Sequence, residues 1–331
     1  MFMIIAVHAD YWAIGIPTKE DLVMSPIATF ARVFIEQLTV VGVNIFVLIS
    51  GWFGIKPTAK SFTSICFQTV FYLLGVYTIG VAFGLTNFSI KQLATCFLFT
   101  HKYWFIKAYI ALVILAPVLN IFVENVKKTI FRNVLIFLFT FQFIYGWLNQ
   151  EVWIAQGYSG FSFIALYLLA RYLRIYGIKW LFSISRSLYI VSCIVATLIA
   201  LIGIYGSIQT VPNLMVSYVS PFVIAGAIGL LINFEKLNLS YSPLINKIAK
   251  STFAVYLFPC FYISDYIYHN LFIEIYNEYD GIMVIVLFTI ILITLYLISV
   301  LIDQFRLSVW NWFWKYFEKL INNRYISNAI L

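Results

Sequence analysis

The sequence predicts an all-α, polytopic membrane protein, with about ten transmembrane helices over residues 1–302 and an interfacial amphipathic helix over 303–331. Three observations carry that prediction. Hydrophobic residues make up 63% of the 331 residues and charged residues only 10%, against roughly 45–50% and about 25% in a soluble domain. Mean hydropathy is +0.95. No polar stretch is long enough for a soluble domain, whereas one crossing per ~20 apolar residues leaves room for about ten. The same figures exclude a soluble enzyme, a disordered chain and a disulfide-stapled secreted scaffold.

Apolar runs bounded by charges and turn residues give the elements in order. A short segment at 1–16 is followed by 38–55, 62–85, 103–123, 130–148 and 158–176, then by 187–206, 214–233, 251–272 and 282–302. Pro17, Pro57, Pro212 and Pro243 fall in connections, where they stop helices at little cost. Pro117, Pro221 and Pro259 fall inside spans and predict kinks. The first segment is anomalous. From Met1 to Ile16 it reaches about 24 Å at 1.5 Å per residue, short of a hydrocarbon core about 30 Å thick. It contains His8 and Asp10, and no basic residue precedes them. A re-entrant helix and a true start upstream of Met1 both fit, and the second is the expectation. Without a charged n-region or a small-residue cleavage site, it does not read as a signal peptide. From Asp303 onward, Phe305, Val309, Trp312, Phe313, Tyr316, Phe317 and Leu320 recur at three- and four-residue spacing. Lys315, Glu318 and Lys319 fall largely between them, as in a helix lying in the membrane interface.

The basic residues orient the spans. Alternate connections carry Lys56 and Lys60; Lys127, Lys128 and Arg132; Arg171, Arg174, Lys179 and Arg186; and Lys236, Lys247 and Lys250. The tail adds Arg306, Lys315, Lys319 and Arg324, leaving Lys19, Arg32, Lys91, Lys102 and Lys107 for the opposite side. By the positive-inside rule the first set is cytoplasmic, as are both termini of a multi-pass plasma-membrane protein. That rule also accounts for the net charge of +8 without a nucleic-acid partner; the expected partners include membrane lipid. Cys66, Cys96, Cys193 and Cys260 are far apart, with neither a CxxC pair nor zinc-type Cys/His spacing, so no metal site is expected.

Within this frame a few polar residues stand out. His8 lies in an apolar segment, where an ionisable group is a functional hypothesis by default. A general base that activates a hydroxyl and a neutral, hydrogen-bonded core histidine both fit it. Asp10 is two residues on, and such positions do not face each other on a regular helix. It can orient His8 only if the helix breaks. Asn44 is a polar amide in the second span, suited to an interhelical hydrogen bond or to a substrate contact, and Ser50 and Gly51 after it permit close helix approach. Lys56, Lys60, Arg171, Arg174 and Arg186 form cytoplasmic basic clusters. Arg171 and Arg174 share a helix face, in a spacing that suits phosphate, although topology alone also explains them. His101 to Phe105 open the fourth span, with Tyr103 and Trp104 as belt residues. His269 reads as a solvated interfacial residue. Abundant Tyr and Trp near the outer ends suit stacking on sugar rings or anchoring at the interface. No phosphate-binding glycine loop and no paired-histidine motif occurs.

In order along the chain, several pieces resemble the acyltransferase 3 family of membrane acyltransferases, including bacterial polysaccharide O-acetyltransferases. They are Ile5 to His8, Val43 to Phe53, His101 to Asn120, Gly157 to Arg174, Lys250 to Phe258 and Ile302 to Arg306. The resemblance implies ten spanning helices and transfer of an acyl group, usually acetyl from acetyl-CoA, to a carbohydrate hydroxyl. No permanently bound cofactor is expected; acyl-CoA is the donor and a cell-surface polysaccharide or its lipid-linked precursor the acceptor. His8 matches the histidine of the family's first-helix motif, whose basic partner about eleven positions earlier would precede Met1. Lys56 and Lys60 are a looser version of a basic R-x-x-R cluster that serves CoA phosphates. Where relatives often continue Tyr-Leu-Ile-His, this chain has Tyr256, Leu257, Phe258 and then Pro259. The expected site is therefore His8 and Asn44 for chemistry, with Lys56, Lys60, Arg171 and Arg174 for the donor. A lipid-linked oligosaccharide flippase is the alternative, although no internal repeat of the transporter kind is evident. A polysaccharide polymerase would carry a larger outer loop.

Overall fold

The computed structural model describes residues 1–100, 103–237, 240–259, 263–279 and 281–328, with the side chains at 155, 263–267 and 320–328 outside the description. Among the described residues the chain is helical and has no strand. Helix α1 (Phe2–Val7) passes into a π-helical turn at His8–Trp12, followed by α2 (Lys19–Met24), α3 (Pro26–Val40) and α4 (Gly42–Phe53). Next come α5 (Ala59–Ala82), α6 (Ile90–Thr95), α7 (Trp104–Asn125) and α8 (Lys128–Phe141), which runs into a second π-helical stretch at Gln142–Leu148. After these come α9 (Gly160–Tyr176), α10 (Lys179–Tyr205), α11 (Thr210–Met215) and α12 (Pro221–Glu235). Last are α13 (Pro243–Lys250), α14 (Thr252–Leu257), α15 (Ile263–Glu278) and α16 (Ile282–Asn328).

Among the described residues six helices are long and apolar enough to cross a membrane: Pro26–Phe53, Ala59–Ala82, Trp104–Asn125, Lys128–Leu148, Lys179–Tyr205 and Ile282–Lys319. The other apolar segments contain helix that is shorter or interrupted, for identifiable reasons. Helix α9 has 17 residues, about 26 Å at 1.5 Å per residue. It buries Phe163, Ala165, Leu166, Tyr167, Leu168, Ala170, Tyr172 and Leu173, so protein encloses most of it. The segment at 214–233 is split by an irregular stretch between Met215 and Pro221. Pro221 does not kink a helix; it stands at the first position of α12, where a missing N–H costs nothing. Pro117 does lie inside α7, and Pro259 follows α14 in a turn.

The second span starts earlier than its apolar run. Pro26 opens α3, and α3 with α4 forms a 28-residue path to Phe53. Arg32 and Glu36, which the sequence places in a connection, therefore lie within one of the helices long and apolar enough to cross a membrane. Thr29, Val33, Glu36, Gln37 and Val40 recur at three- and four-residue spacing on its buried face. Helix α16 continues through Asp303 to Asn328, with Phe305, Trp312, Phe313, Tyr316 and Phe317 exposed along it.

Two compact units result, one made of Met1–Pro57, Thr100–Tyr241 and Tyr268–Phe288, the other of Thr58–Phe99, Ser242–Ile267 and Thr289–Leu331. In the first, small residues let helices meet. A Cβ on Gly51 would lie 2.5 Å from the Tyr167 carbonyl oxygen, so α4 rests directly on α9. A Cβ on Gly229 would lie 2.6 Å from the Ser185 carbonyl oxygen, which does the same for α12 and α10. In the second unit, Thr58 and Ser61 cap α5 reciprocally. Its buried charge is fully matched. Asp303 accepts from Arg306 at 2.8 and 2.9 Å, from Gln68 Nε2 at 3.0 Å and from the Tyr72 hydroxyl at 3.2 Å.

Candidate active site

The polar groups of the first unit gather at irregular backbone. The helix that begins with α1 widens to π geometry at His8, a distortion often found at functional sites. His8 Nδ1 is buried and has no hydrogen-bond partner among the described residues. Its ring lies 6.1 Å from that of Trp12, and Trp12 lies 6.4 Å from His269. His269 is half-buried and within electrostatic range of His8, so it is not the solvated interfacial residue read from the sequence. The fold of α15 brings it there. The hydroxyl of neighbouring Tyr268 donates to the Ile5 carbonyl.

The helix does deviate at Asp10, but its carboxylate does not turn to His8. Arg32 claims it, with Nη2 at 2.5 Å and Nε at 2.8 Å from Oδ1. The same guanidinium donates to the Gly15 carbonyl at 2.8 Å and the Tyr276 hydroxyl at 3.1 Å, so the pair is closed on itself.

Two contacts set the register between α1 and the helix path it crosses. A Cβ on Gly42 would meet Met3 and Ile4 at 3.0 and 3.2 Å, while Arg32 meets Asp10. The two runs are antiparallel, which puts Glu36 and Gln37 at the depth of His8. Glu36 is only 1% exposed; its Oε2 is fully enclosed and unpartnered among the described residues, as is Gln37 Nε2. Glu36 interacts electrostatically with Asp10, Arg32, Tyr11 and Tyr158.

Asn44 is completely buried. Its Nδ2 donates to the Tyr218 carbonyl at 2.8 Å, and its Oδ1 is unpartnered among the described residues. Tyr218 belongs to the irregular stretch before α12, whose Ser217 and Ser220 hydroxyls are likewise buried and unpartnered, as is Gln142 Nε2 in the second π-helical stretch. Irregular backbone at membrane depth is tolerated where it lines a cavity or is buried in protein. Beside it, the rings of Trp104, Tyr158 and Tyr218 stand 4.5 to 5.6 Å apart. Tyr158 is 47% exposed.

At the opposite ends of α4 and α9 the chemistry changes. Gly54 ends α4 with a φ of 75°, a conformation that glycine takes without steric cost. Arg171 lies against it, with Nη1 3.1 Å from where a Cβ would be. Arg174 stacks 5.1 Å over Trp52 and reaches Glu235 at 3.7 Å. The Tyr167 hydroxyl accepts from the Ile55 amide at 3.1 Å and donates to Asn120 Oδ1 at 2.6 Å, while Asn120 Nδ2 donates to the Ile55 carbonyl at 2.8 Å. This clasp fixes the turn that carries exposed Lys56 beside Arg171. Lys60 belongs to the second unit, where its ammonium lies 5.4 Å over Trp314. His101 and Lys102 lie outside the described residues. Lys107 donates to the Thr100 carbonyl at 2.6 Å.

The fold thus gathers His8 and Asn44 in one unit with Lys56, Arg171 and Arg174, and adds Glu36, Arg32 and His269, which sequence reasoning passed over. Glu36 and Arg32 carried a readable signal, the helical spacing of Thr29, Val33, Glu36, Gln37 and Val40 after Pro26. His269 carried none. A family model described as an acyltransferase domain, that of the acyltransferase 3 family, matches residues 1–304. No curated protein and no solved structure matches the chain.

Proposed function

The chain belongs to the acyltransferase 3 family and is a membrane acyltransferase; from that premise we propose that it transfers acetyl from acetyl-CoA to a carbohydrate hydroxyl. The acceptor is a cell-surface polysaccharide or its lipid-linked precursor. The reading rests above all on His8, a half-buried histidine whose enclosed Nδ1 has no partner among the described residues, in a π-helical turn.

In this mechanism Lys56, Arg171 and Arg174 take the phosphates of CoA, Arg171 and Arg174 through guanidinium geometry and Lys56 as a point charge. The acyl-bearing arm runs along α4, whose twelve residues extend about 18 Å. Past Gly42, at the depth of Glu36, His8 removes the proton of a sugar hydroxyl as that oxygen attacks the thioester carbonyl. The Asn44 amide has one N–H left after its bond to Tyr218, and this stabilises the oxyanion. Collapse of the tetrahedral intermediate expels the CoA thiolate, which takes the proton back from His8. In the membrane, the shorter helices pair with the six long ones as about ten spans. Both termini are cytoplasmic in the plasma membrane, and the exposed aromatic side of the tail rests in the interface.

The test is thiol release from acetyl-CoA in membranes containing the full chain, with and without a glycan acceptor. Release that rises with acceptor and yields an acetylated glycan supports the reading. Glycan translocation without thiol release would replace it with transport.

A further inference from the structure

We propose that Glu36 is the anchor of a carbohydrate subsite beside His8, with its carboxylate accepting hydrogen bonds from hydroxyls of the sugar. This deepens the acetyltransfer reading and rests on it for the identity of the reaction, though not for the binding itself.

An ionised side chain inside a membrane span is costly and ordinarily finds a partner. The neighbouring charges follow that rule, since Asp10 and Arg32 neutralise each other at 2.5 Å. Glu36 does not. It is 1% exposed, lies at the depth of His8, and its Oε2 is enclosed without a hydrogen-bond partner among the described residues. A carboxyl group in that position is left for a hydroxyl from outside the chain.

The surrounding orphans identify the class of donor. Gln142 presents an unpartnered amide N–H group, Asn44 an unpartnered carbonyl oxygen, and Tyr11 and Ser217 unpartnered hydroxyls. A cation would call for acceptors alone. A mixture of donors and acceptors matches hydroxyl groups, each of which gives one hydrogen bond and accepts others. Contacts and electrostatic interactions tie Glu36, Tyr11 and Asn44 to one region of the first unit, where Ser217 adjoins Tyr218. Tyr11 and Tyr158 interact electrostatically with Glu36, and Asn44 is bonded to Tyr218, whose ring packs 5.5 Å from Tyr158. Aromatic rings beside a carboxylate give a pyranose an apolar face to lie on and an acceptor for its edge.

The experiment uses the full chain in nanodiscs and saturation-transfer NMR with the methyl glycosides of glucose, galactose and N-acetylglucosamine as probes. Saturable transfer to at least one glycoside is expected in the unaltered protein. Its Kd should rise at least tenfold in Glu36→Gln, with thermal unfolding checked in parallel. Tyr158→Ala, at a position 47% exposed, should weaken the same glycoside severalfold, with thermal unfolding checked in the same way. Absence of glycoside binding to the unaltered chain, or equal binding to Glu36→Gln and the unaltered chain, overturns the subsite. Glu36-dependent binding of tetramethylammonium in place of the sugars also overturns it, in favour of a cation site. Glycoside binding that depends on Glu36 in a chain that releases no thiol from acetyl-CoA supports the subsite while the acetyltransfer reading fails.

Discussion

One end of the first unit has its polar groups largely paired, while the other leaves many of them open. At the basic end, Tyr167, Asn120 and Ile55 complete one another's hydrogen bonds, and Arg174 lies over Trp52. Of the side-chain groups named there, Arg171 Nε alone is buried without a partner among the described residues. Away from that end the situation is reversed, with His8, Tyr11, Glu36, Gln37, Asn44, Gln142, Ser217 and Ser220 all retaining a buried atom without a partner among the described residues. A paired end holds its shape by itself and suits a charged ligand that docks and leaves. An unpaired end carries a desolvation cost of about 1–3 kcal/mol per group, which a polyol bound as proposed would offset.

The comparison can be broken most directly at His8. A positioned general base contributes roughly 10²–10⁴-fold to rate. His8→Ala should lower acetyl transfer by about that factor with membrane insertion intact, and His8→Asn, polar but not basic, should do nearly as much. A transfer rate equal to that of the unaltered chain in either variant would make the histidine structural. Next in size is Arg32→Gln, which strands Asp10 in a half-closed apolar setting. Removing one partner of a buried pair costs about 3–5 kcal/mol, and thermal unfolding in detergent should register it. Asp10→Asn on top of Arg32→Gln should recover most of the loss; no recovery would mean that Arg32 acts chiefly through Gly15 and Tyr276.

Donor affinity sharpens the other side of the contrast. Hydrogen bonds to charged groups are worth about 1.5–3 kcal/mol, so Arg171→Gln with Arg174→Gln should raise the KM for acetyl-CoA roughly 10- to 100-fold. Cysteine labelling at Lys127 and Glu151 in the same variants checks that orientation is kept. Normal orientation with unchanged KM would reduce the arginines to topology signals. The smallest effect belongs to Lys60→Gln. Its ammonium is exposed and set over Trp314, where a cation–π contact is worth about 0.5–1 kcal/mol. A KM change under about threefold is therefore expected, and a change as large as that of the arginine pair would move Lys60 into the donor site.

Much of the architecture was legible because lipid imposes it. Every apolar segment contains helix, and Gly51 marks a close approach. The early start of the second span was hidden by its own chemistry, since Arg32 and Glu36 counted against a membrane segment when hydropathy was the criterion. Their helical spacing with Val33 and Val40 was the better guide. The two π-helical stretches have no sequence periodicity of their own, so the geometry at His8 could not be read beforehand. His269 lies 261 positions from His8 along the sequence and reaches its neighbourhood only through tertiary structure. Asp10 was correctly suspect as an orienting group for His8, but its partner came from a helix that the sequence reading had not extended far enough.

The Tyr167 hydroxyl performs two tasks with one oxygen, holding both the Ile55 amide and the Asn120 side chain. Deleting that oxygen in Tyr167→Phe would release the turn from Gly54 to Pro57 while touching no charge. Encounter with an anionic donor is steered by long-range field, so the association rate should hardly change. Residence time depends instead on whether Lys56 and Arg171 stay aligned after contact, and a loosened turn shortens it. If the donor docks as proposed, the hydroxyl of this fully buried tyrosine sets how long it stays, separately from how fast it arrives.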